Sequence, residues 1–517
     1  MRLFLFAIGG TGARVVRSLT MMLAAGIDGL DSSTEIIPII LDYDLSNGDK
    51  TRAIRALECY SAIHQVLYPD STRGTLYDDH FFMTRLTPLS QAGIANTSGT
   101  LKDFEFNFGP TGHTIKFADY LNISALNTTP NVKLTEDLLY ALYDDSPASS
   151  KNAELELDMA KGFKGNPNIG SVVFHDLRSS NEFGQFRNTF DAASDKVFIV
   201  SSIFGGTGAS GFPEIVNAIR SDARANVNPA IIGSALVLPY FDLQLFNPQN
   251  GDTGAIDAAS FNAKTRAALG FYAAPNGINA KVNALYYVGD EHHDAYQYNE
   301  GEDRQKNDAH VVEFVAASAI IDFLKRNNLS RNDHRAFEFS IKDAKLDQSI
   351  QLPDFEKSTH LSFLDNLSEF VIAMKYYRDA VCGDRSQVSS STAYFSSSRF
   401  DLANKLGKGF YDLLDQFLLT ANIADEKDRW GFYPWLKELQ THAHKLSPYI
   451  VDKGHEMKQV LAHKTISAPH AWETNPIKDE TIARELSRRS QNLPIYSDES
   501  FMKVLRDTTK EIYKNVK

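Results

Sequence analysis

A buried strand that runs straight into a glycine-rich turn and then a helix occurs twice in this chain. The first copy has an apolar run at 3–8, Gly-Gly-Thr-Gly at 9–12 and apolar residues at helical spacing over 15–23. The second has an apolar run at 196–202 and Gly-Gly-Thr-Gly at 205–208. Such a turn lets backbone N–H groups converge on an anion in front of the positive end of a helix. The pattern therefore predicts a phosphate site at the carboxyl edge of a sheet.

The other apolar runs of the first 300 residues are continuous and are separated by helical stretches, including one at about 257–272. This arrangement is typical of a parallel sheet covered by helices on both faces, so we expect an α/β fold. Pro213 is expected in the first turn of the helix that follows the second glycine turn. The predicted strands are 3–8, 35–41, 81–82, 104–108, 196–202, 230–238 and 282–288.

The last third of the chain has a different pattern. Apolar residues cover most of the circumference of a helix at 308–326, which predicts that this helix is buried. A chain of 517 residues exceeds what one core usually supports. We expect a nucleotide-binding domain at 1–307 with an insertion at about 60–160, a central helix at 308–326 and a mostly helical domain at 327–517. The helices predicted in the last part are 361–377, 402–419, 435–446 and 499–513.

Composition excludes several classes of protein. The chain has 53 Lys and Arg against 65 Asp and Glu, a net charge of −12, so we expect no nucleic-acid partner. Two cysteines, Cys59 and Cys382, cannot form a disulfide framework or a cysteine zinc site, which favours a cytoplasmic location. Apolar stretches stay shorter than the roughly 18–20 residues of a membrane span, and the first one is interpreted as a strand rather than a signal peptide.

Four motifs, in order, resemble the tubulin/FtsZ superfamily of GTP-binding proteins. Residues 9–14 are similar to the first glycine loop of FtsZ, and 162–170 to its Gly-Ala-Asn-Pro-Glu-Ile-Gly loop. Residues 205–211 are similar to the tubulin signature Gly-Gly-Gly-Thr-Gly-Ser-Gly, although Phe204 replaces its first glycine. Asp42 and Asp44 stand where the family has a loop beside the nucleotide and its magnesium. The resemblance covers roughly 1–330 and implies GTP or GDP with Mg²⁺, and head-to-tail assembly into filaments or rings.

The resemblance also implies individual site residues. Asn262 and Arg266 stand where FtsZ has residues near ribose and guanine. Asp308 matches a residue that recognises guanine, and serves equally well as a helix N-cap. Asp333 is the nearest match to the catalytic acid that one subunit inserts into its neighbour's site. The nucleotide-binding residues implied are Gly9, Gly10, Thr11, Gly12, Arg14, Asp42, Asp44, Gly165, Asn166, Gly205, Gly206, Thr207, Gly208, Ala209, Ser210, Asn262, Arg266 and Asp308.

Two other functions stay open. The chain could be a nucleotide-dependent switch that does not polymerise and acts with a partner protein. It could also be a Rossmann-type NAD(P)-dependent oxidoreductase, in which the turn at 9–12 holds pyrophosphate and Asp42 binds the ribose hydroxyls. Four residues of a polar stretch are interpreted as parts of a solvated loop rather than as metal ligands: His292, His293, Asp294 and His310.

Overall fold

The structure is a computed structural model, and it describes most of the first 337 residues and several helical segments beyond them. Within the described part, no helix combines the length and the hydrophobicity that a membrane span requires. His292 and His293 lie outside it, as does much of the expected insertion. The described residues are 1–27, 30, 33–44, 46–68, 81–95, 103–106, 108, 115–123, 133–143, 154–243, 258–290, 294–296, 305–337, 364–377, 407–420, 425–442, 444, 446, 479–490 and 498–516.

Seven parallel strands form the central sheet. In chain order they are β1 (Arg2–Ile8), β2 (Glu35–Leu41), β3 (Arg85–Leu86), β4 (Asp195–Ser202), β5 (Ile231–Val237), β7 (Ala284–Val288) and β9 (Arg335–Phe337). Their order across the sheet is β3-β2-β1-β4-β5-β7-β9, with β1 at the centre. A separate parallel pair consists of β6 (Phe241–Leu243) and β8 (Asp294–Tyr296). The expected α/β fold with a parallel sheet is confirmed.

Helices connect the strands and continue beyond them. The described C-terminal region is helical, as the sequence predicted. The helices, in chain order, are α1 (Gly9–Ala24), α2 (Gly48–Leu67), α3 (Phe117–Tyr120), α4 (Lys133–Leu142), α5 (Pro167–Phe174), α6 (Asn181–Thr189), α7 (Gly206–Arg220), α8 (Ala258–Ala273), α9 (Val311–Lys325), α10 (Leu364–Tyr376), α11 (Gly407–Leu419), α12 (Phe432–Glu438), α13 (Asp479–Ser490) and α14 (Asp498–Val516).

Each face of the sheet has its own hydrophobic core. Alternate residues of β1 point to opposite faces, so Leu3 and Leu5 join one core while Phe4 and Phe6 join the other. The first core also contains residues of α1, α2 and α9, and the second contains residues of α5, α6, α7 and α8. The described C-terminal helices extend the first core with Phe370, Leu414, Trp435, Leu486 and Leu505.

The helix after the second glycine turn begins earlier than predicted. α7 starts at Gly206, and Pro213 lies inside it rather than in its first turn. Proline has no N–H, so the carbonyl of Ala209, four residues earlier, loses its helical partner. Tyr272 on α8 donates a hydrogen bond to that carbonyl at 3.1 Å. A contact between segments that are distant in sequence therefore compensates for the proline, which would usually interrupt the helix.

The two predicted aromatic strands are largely absent from the described residues. Phe81 and Phe82 lie in a turn, where Phe82 has φ of 57°, and both rings pack against Phe370. The run at 104–108 contributes an isolated bridge between Glu105 and Ile40. These aromatic residues are buried in the two cores, and a β-propensity argument does not distinguish such packing from a strand.

Candidate functional site

An open cleft lies at the carboxyl ends of the central strands. β1 leads through α1 to β2 on one side, whereas β4 leads through α7 to β5 on the other. The chain connections diverge between β1 and β4, and a crevice of this kind is where open α/β sheets bind ligands. The cleft comprises about 1010 Å³ of empty space, part of it open to solvent.

The bottom of the cleft, here called the glycine floor, consists of Gly9, Gly10, Thr11, Gly205, Gly206, Thr207 and Gly208. α1 and α7 both begin at this floor, so their N-terminal N–H groups and positive dipole ends meet there. The two turns touch, because a Cβ at Gly9 would lie 3.4 Å from the Cβ of Thr207. A Cβ at Gly208 would lie 2.3 Å from the carbonyl oxygen of Ser202, so only glycine fits that position.

The third predicted loop also reaches the cleft. Gly162, Phe163, Lys164 and Gly165 line it, and both glycines have positive φ, 74° and 76°. A Cβ at Gly206 would lie 2.9 Å from the Cβ of Phe163 and 3.1 Å from the nitrogen of Gly165. Three segments that are far apart in sequence therefore form one continuous surface.

Acidic residues line the side of the cleft below β2. Asp42 and Asp44 both face it, and Asp42 Oδ1 accepts a hydrogen bond from the backbone N–H of Asp44 at 3.2 Å. Burial raises the pKa of Asp42 to about 7, and the neighbouring Asp44 carboxylate adds to that effect. Two carboxylates beside a phosphate-sized floor suit Mg²⁺, which is usually bound by one or two carboxylates and by substrate phosphates.

Four aromatic side chains also line the cleft and are here called the aromatic wall: Phe204, Phe241, Phe261 and Tyr296. Phe241 and Tyr296 stack with ring centroids 4.8 Å apart, and Phe204 lies 4.9 Å from Phe261. Sequence reasoning missed this wall, and its signal was Phe204, which appeared there only as a departure from a glycine signature. Flat aromatic surfaces beside a phosphate site can stack a nucleobase.

Behind the glycine floor lies a set of buried ions, here called the buried charge cluster: Arg14, Arg17, Asp49, Arg52, Glu313 and Glu438. Arg14 pairs with Asp49 at 2.6 Å and with Glu313 at 2.5 Å, and also donates to the Tyr240 hydroxyl at 2.5 Å. Burial disfavours its charge, but the acids around it raise the pKa of Arg14 well above its ordinary value. Its nitrogens are thus committed to the protein rather than to a ligand.

The cluster joins the cleft to the C-terminal helices. Arg17 on α1 makes two hydrogen bonds to Glu438 of α12, at 2.7 and 3.0 Å. Glu438 also accepts from the backbone N–H of Ala309, and Arg52 lies 3.5 Å from it. Arg52 donates to the carbonyl of Asn307, which lines the cleft.

A scan against protein-family models finds no match, and a search among curated proteins finds no relative. The chemistry of the cleft itself is therefore the basis for assigning a function.

Eleven of the implied nucleotide-binding residues line the cleft. Besides the seven of the glycine floor these are Arg14, Asp42, Asp44 and Gly165.

Four others lie beside the cleft without lining it. Gly12 packs under the turn, where a Cβ would lie 2.7 Å from the carbonyl carbon of Ala7. Ser210 is fully buried and donates to the Gly206 carbonyl at 2.7 Å, so its hydroxyl is used within α7. Ala209 accepts from Tyr272, and Asn166 is the N-cap of α5.

On α8, each implied residue lies one position after a residue of the buried face of the helix. Asn262 and Arg266 are exposed, whereas Phe261 and Thr265 form the buried face of the helix. The sequence places the helix correctly, but it does not reveal which side of the helix turns toward the sheet.

Asp308 is not the N-cap of α9, and it does not line the cleft. It lies two residues before the N-cap of α9, which is His310, so the N-cap interpretation is wrong. Its carboxylate is paired with Lys427 at 2.9 Å, and Asn307, not Asp308, lines the cleft.

Asp333 lies at the opposite edge of the sheet from the cleft. It precedes β9, and Arg335 at the start of β9 pairs with Ala284 at the start of β7. Hydrogen bonds from Ser330 lower the pKa of Asp333 below its ordinary value.

The solvated-loop interpretation of His310 is wrong. Its side chain is fully buried and accepts a hydrogen bond from the backbone N–H of Val312, which caps α9. It also lies 3.3 Å from Asp294, which is only partly exposed.

Proposed function

We propose that this protein binds a guanine nucleotide with Mg²⁺ in the cleft, as a divergent tubulin/FtsZ-like protein. The observation that carries the proposal is the convergence of three glycine-containing loops and two helix N-termini at the point where the sheet connections diverge. A single glycine turn is common in α/β proteins. Three that share one surface favour a phosphate chain over one isolated anion.

Each part of the cleft has a role in this proposal. The backbone N–H groups of the glycine floor hold the phosphates, and the Thr11 and Thr207 hydroxyls add donors. Asp42 and Asp44 hold Mg²⁺, whose charge offsets the phosphates and the two carboxylates. The aromatic wall stacks the base. Gln305 and Asn307 line the cleft with side-chain amides that can recognise base edges.

The position of Asp333 supports head-to-tail assembly. α9 leads from the cleft toward the amino edge of the sheet, where Asp333 lies. In an assembly that repeats in one direction, the amino edge of one subunit faces the cleft of the next. Asp333 in its charged form would then approach the phosphates of the neighbour and orient the attacking water. GTP hydrolysis in this scheme depends on assembly, whereas binding does not.

Thermal unfolding with GTP, GDP, ATP, NAD and NADP, each with and without Mg²⁺, tests the nucleotide. GTP and GDP with Mg²⁺ should raise the unfolding temperature most, because a ligand stabilises the state it binds. Stabilisation by NAD or NADP alone would exclude the GTP proposal. The variant Gly208→Ala, whose Cβ meets the Ser202 carbonyl, should lose the GTP effect, and Gly270→Ala is its control on an open stretch of α8.

Assembly is measured separately, by pelleting and negative-stain microscopy with GTP, with GDP and without nucleotide. Filaments or rings with GTP, together with faster hydrolysis at higher protein concentration, are the expected result. Asp333→Asn should leave binding intact and abolish hydrolysis. Binding without any assembly would replace the polymer with the nucleotide-dependent switch that acts with a partner protein.

One observation favours a second candidate, a dinucleotide-dependent oxidoreductase. Asp42 follows β2 and lines the cleft, the position from which dinucleotide-binding folds hold ribose hydroxyls. The strand order is equally compatible with such a fold. The NAD and NADP arms of the unfolding experiment separate this candidate from the first.

A further inference from the structure

A cluster of two histidines and one aspartate lies behind the aromatic wall, outside the nucleotide cleft. Asp294 begins β8, His310 precedes α9, and His442 follows α12. One donor atom from each lies within 4.8 Å of the others. His310 is fully buried and His442 is 5% exposed, while the Asp294 side chain is 22% exposed.

Two of the three separations between donor atoms fit a tetrahedral metal site. Asp294 Oδ2 lies 3.3 Å from His310 Nε2 and 3.2 Å from His442 Nδ1. Zinc binds imidazole nitrogen and carboxylate oxygen at about 2.0–2.2 Å, which places two ligands of a tetrahedral site about 3.4 Å apart. The cluster is therefore close to a coordinating arrangement without rearrangement of the backbone.

The hydrogen bonding of His442 points to a cation. Its Nε2 lies 2.9 Å from the carbonyl oxygen of Ala309, which only accepts, so Nε2 carries the ring proton. The lone pair of Nδ1 then faces the carboxylate of Asp294 at 3.2 Å, and two electron-rich atoms at this distance share either a proton or a metal ion. A histidine that donates its second N–H to a backbone carbonyl is the usual outer-shell arrangement of a metal ligand.

His310 supplies the third ligand after a change of tautomer. Its Nδ1 accepts from Val312, so Nε2 carries the ring proton in the metal-free protein. Nε2 is buried and has no hydrogen-bond partner among the described residues. Coordination moves the proton to Nδ1, so the helix cap is replaced by two N–H groups that face each other. The metal–ligand bonds must exceed that cost.

We propose that Asp294, His310 and His442 bind a divalent transition-metal ion of the zinc type, with water as the fourth ligand. Imidazole with one carboxylate suits such ions better than Mg²⁺ or Ca²⁺, which prefer oxygen ligands. The metal joins three segments that are distant in sequence. Tyr296 of the aromatic wall lies two residues from Asp294 and its ring is 5.9 Å from that of His442, so the ion fixes the wall against the C-terminal helices.

Titration of the tag-free, chelator-treated full chain with Co²⁺, without nucleotide, tests the site. One Co²⁺ per chain should bind, with the visible absorption of a four-coordinate ion that Zn²⁺ then displaces. His442→Ala and Asp294→Asn should each weaken binding by more than the ~10–100-fold typical of losing an outer-shell partner. Asp294→Asn keeps the side-chain shape, so its circular dichroism should match that of the wild type.

His444→Ala is the matched control. His444 lies two residues after His442 and is also largely buried, but it pairs with Asp290 at 2.7 Å, outside the cluster. This variant should bind Co²⁺ as the wild type does. Absence of binding by folded wild-type protein would overturn the proposal, and so would equal binding by wild type, His442→Ala and Asp294→Asn. The result is independent of whether the cleft binds GTP.

Discussion

The glycine floor and the buried charge cluster lie next to each other and are built in opposite ways. The floor has seven residues and no charged side chain, so its field comes from helix ends and backbone N–H groups that face solvent. The cluster has three arginines and three acids that pair with one another behind it. Positive helix ends without a counter-charge attract an anionic ligand, whereas arginines and acids that pair with one another stabilise the fold. In our proposal the floor binds the ligand, whereas the cluster joins the helical region to the sheet.

The largest change in free energy is expected from breaking the buried charge cluster, and it is a change in the stability of the fold. Arg14→Met keeps the length of the side chain but leaves Asp49 and Glu313, both fully buried, without their shared cation. Removal of one partner from a buried ion pair typically destabilises a protein by about 3–5 kcal/mol. Denaturant unfolding should show a loss of that size.

A surface ion pair provides the control for Arg14. Arg178 lies 3.2 Å from Glu214, with side chains 36% and 21% exposed. Arg178→Met should change the free energy of unfolding by less than about 1 kcal/mol. Similar losses of unfolding free energy in Arg14→Met and Arg178→Met would show that the cluster stabilises the fold no more than a surface ion pair does. The cluster would then not differ from the glycine floor in its role.

The second effect comes from filling the floor. Gly206→Ala places a Cβ 2.9 Å from Phe163 Cβ and about as close to the backbone of Gly165, so the loops must move apart. Overpacking of this kind costs about 1–3 kcal/mol, which corresponds to a roughly 5- to 150-fold loss of nucleotide affinity if the bound state keeps the loops in place. Calorimetric titration with GTP measures it.

Gly409→Ala is the control for this glycine, because a Cβ there meets nothing within 4 Å. Removing glycine from an open helix position should stabilise the chain by about 0.5–1 kcal/mol and leave the affinity unchanged. If Gly206→Ala bound GTP as tightly as Gly409→Ala does, the close contact between the loops would have no part in binding.

The same contrast explains what the sequence could and could not predict. The glycine floor consists of two short consecutive segments after apolar strands, so it is visible locally. The buried charge cluster and the proposed metal ligands combine residues from positions 14 to 442, and single-sequence patterns contain no signal for such pairings. Asn262 and Arg266 show an intermediate case, since the helix is predictable but the side it turns to the sheet depends on the core. Pro213 lies inside α7, and the carbonyl that lacks its N–H accepts from a distant tyrosine instead, a contact that the local sequence does not show.

A smaller effect is expected at the aromatic wall. Phe241→Leu keeps an apolar side chain but removes the ring that stacks on Tyr296 at 4.8 Å. Aromatic stacking adds about 0.5–1.5 kcal/mol beyond burial, so GTP affinity should fall roughly 2- to 12-fold. Inorganic triphosphate, which has no base, should bind wild type and variant equally. If GTP and inorganic triphosphate both bound more weakly to the variant by the same factor, Phe241 would act by shaping the glycine floor and not by stacking on the base.

The smallest effect concerns Cys59, on the same helix as Asp49 and Arg52. Burial raises the pKa of its thiol to about 12, and its Sγ donates to the carbonyl of Leu413 on α11. In Cys382→Ser protein, a thiol reagent at pH 8 should label Cys59 only after unfolding, because the thiolate is the reactive form.

The raised pKa of Cys59 also predicts how the free energy of unfolding depends on pH. The contribution of Cys59 is fully present below the pKa of the thiol in the unfolded chain, about 8.5, and is lost as the pH rises toward 12. The unfolding midpoint should therefore fall more steeply above pH 8.5 than in Cys59→Ala. Rapid labelling of the folded protein at pH 8 would show that Cys59 is exposed to solvent. The face of α2 that carries Cys59 would then not be packed against α11.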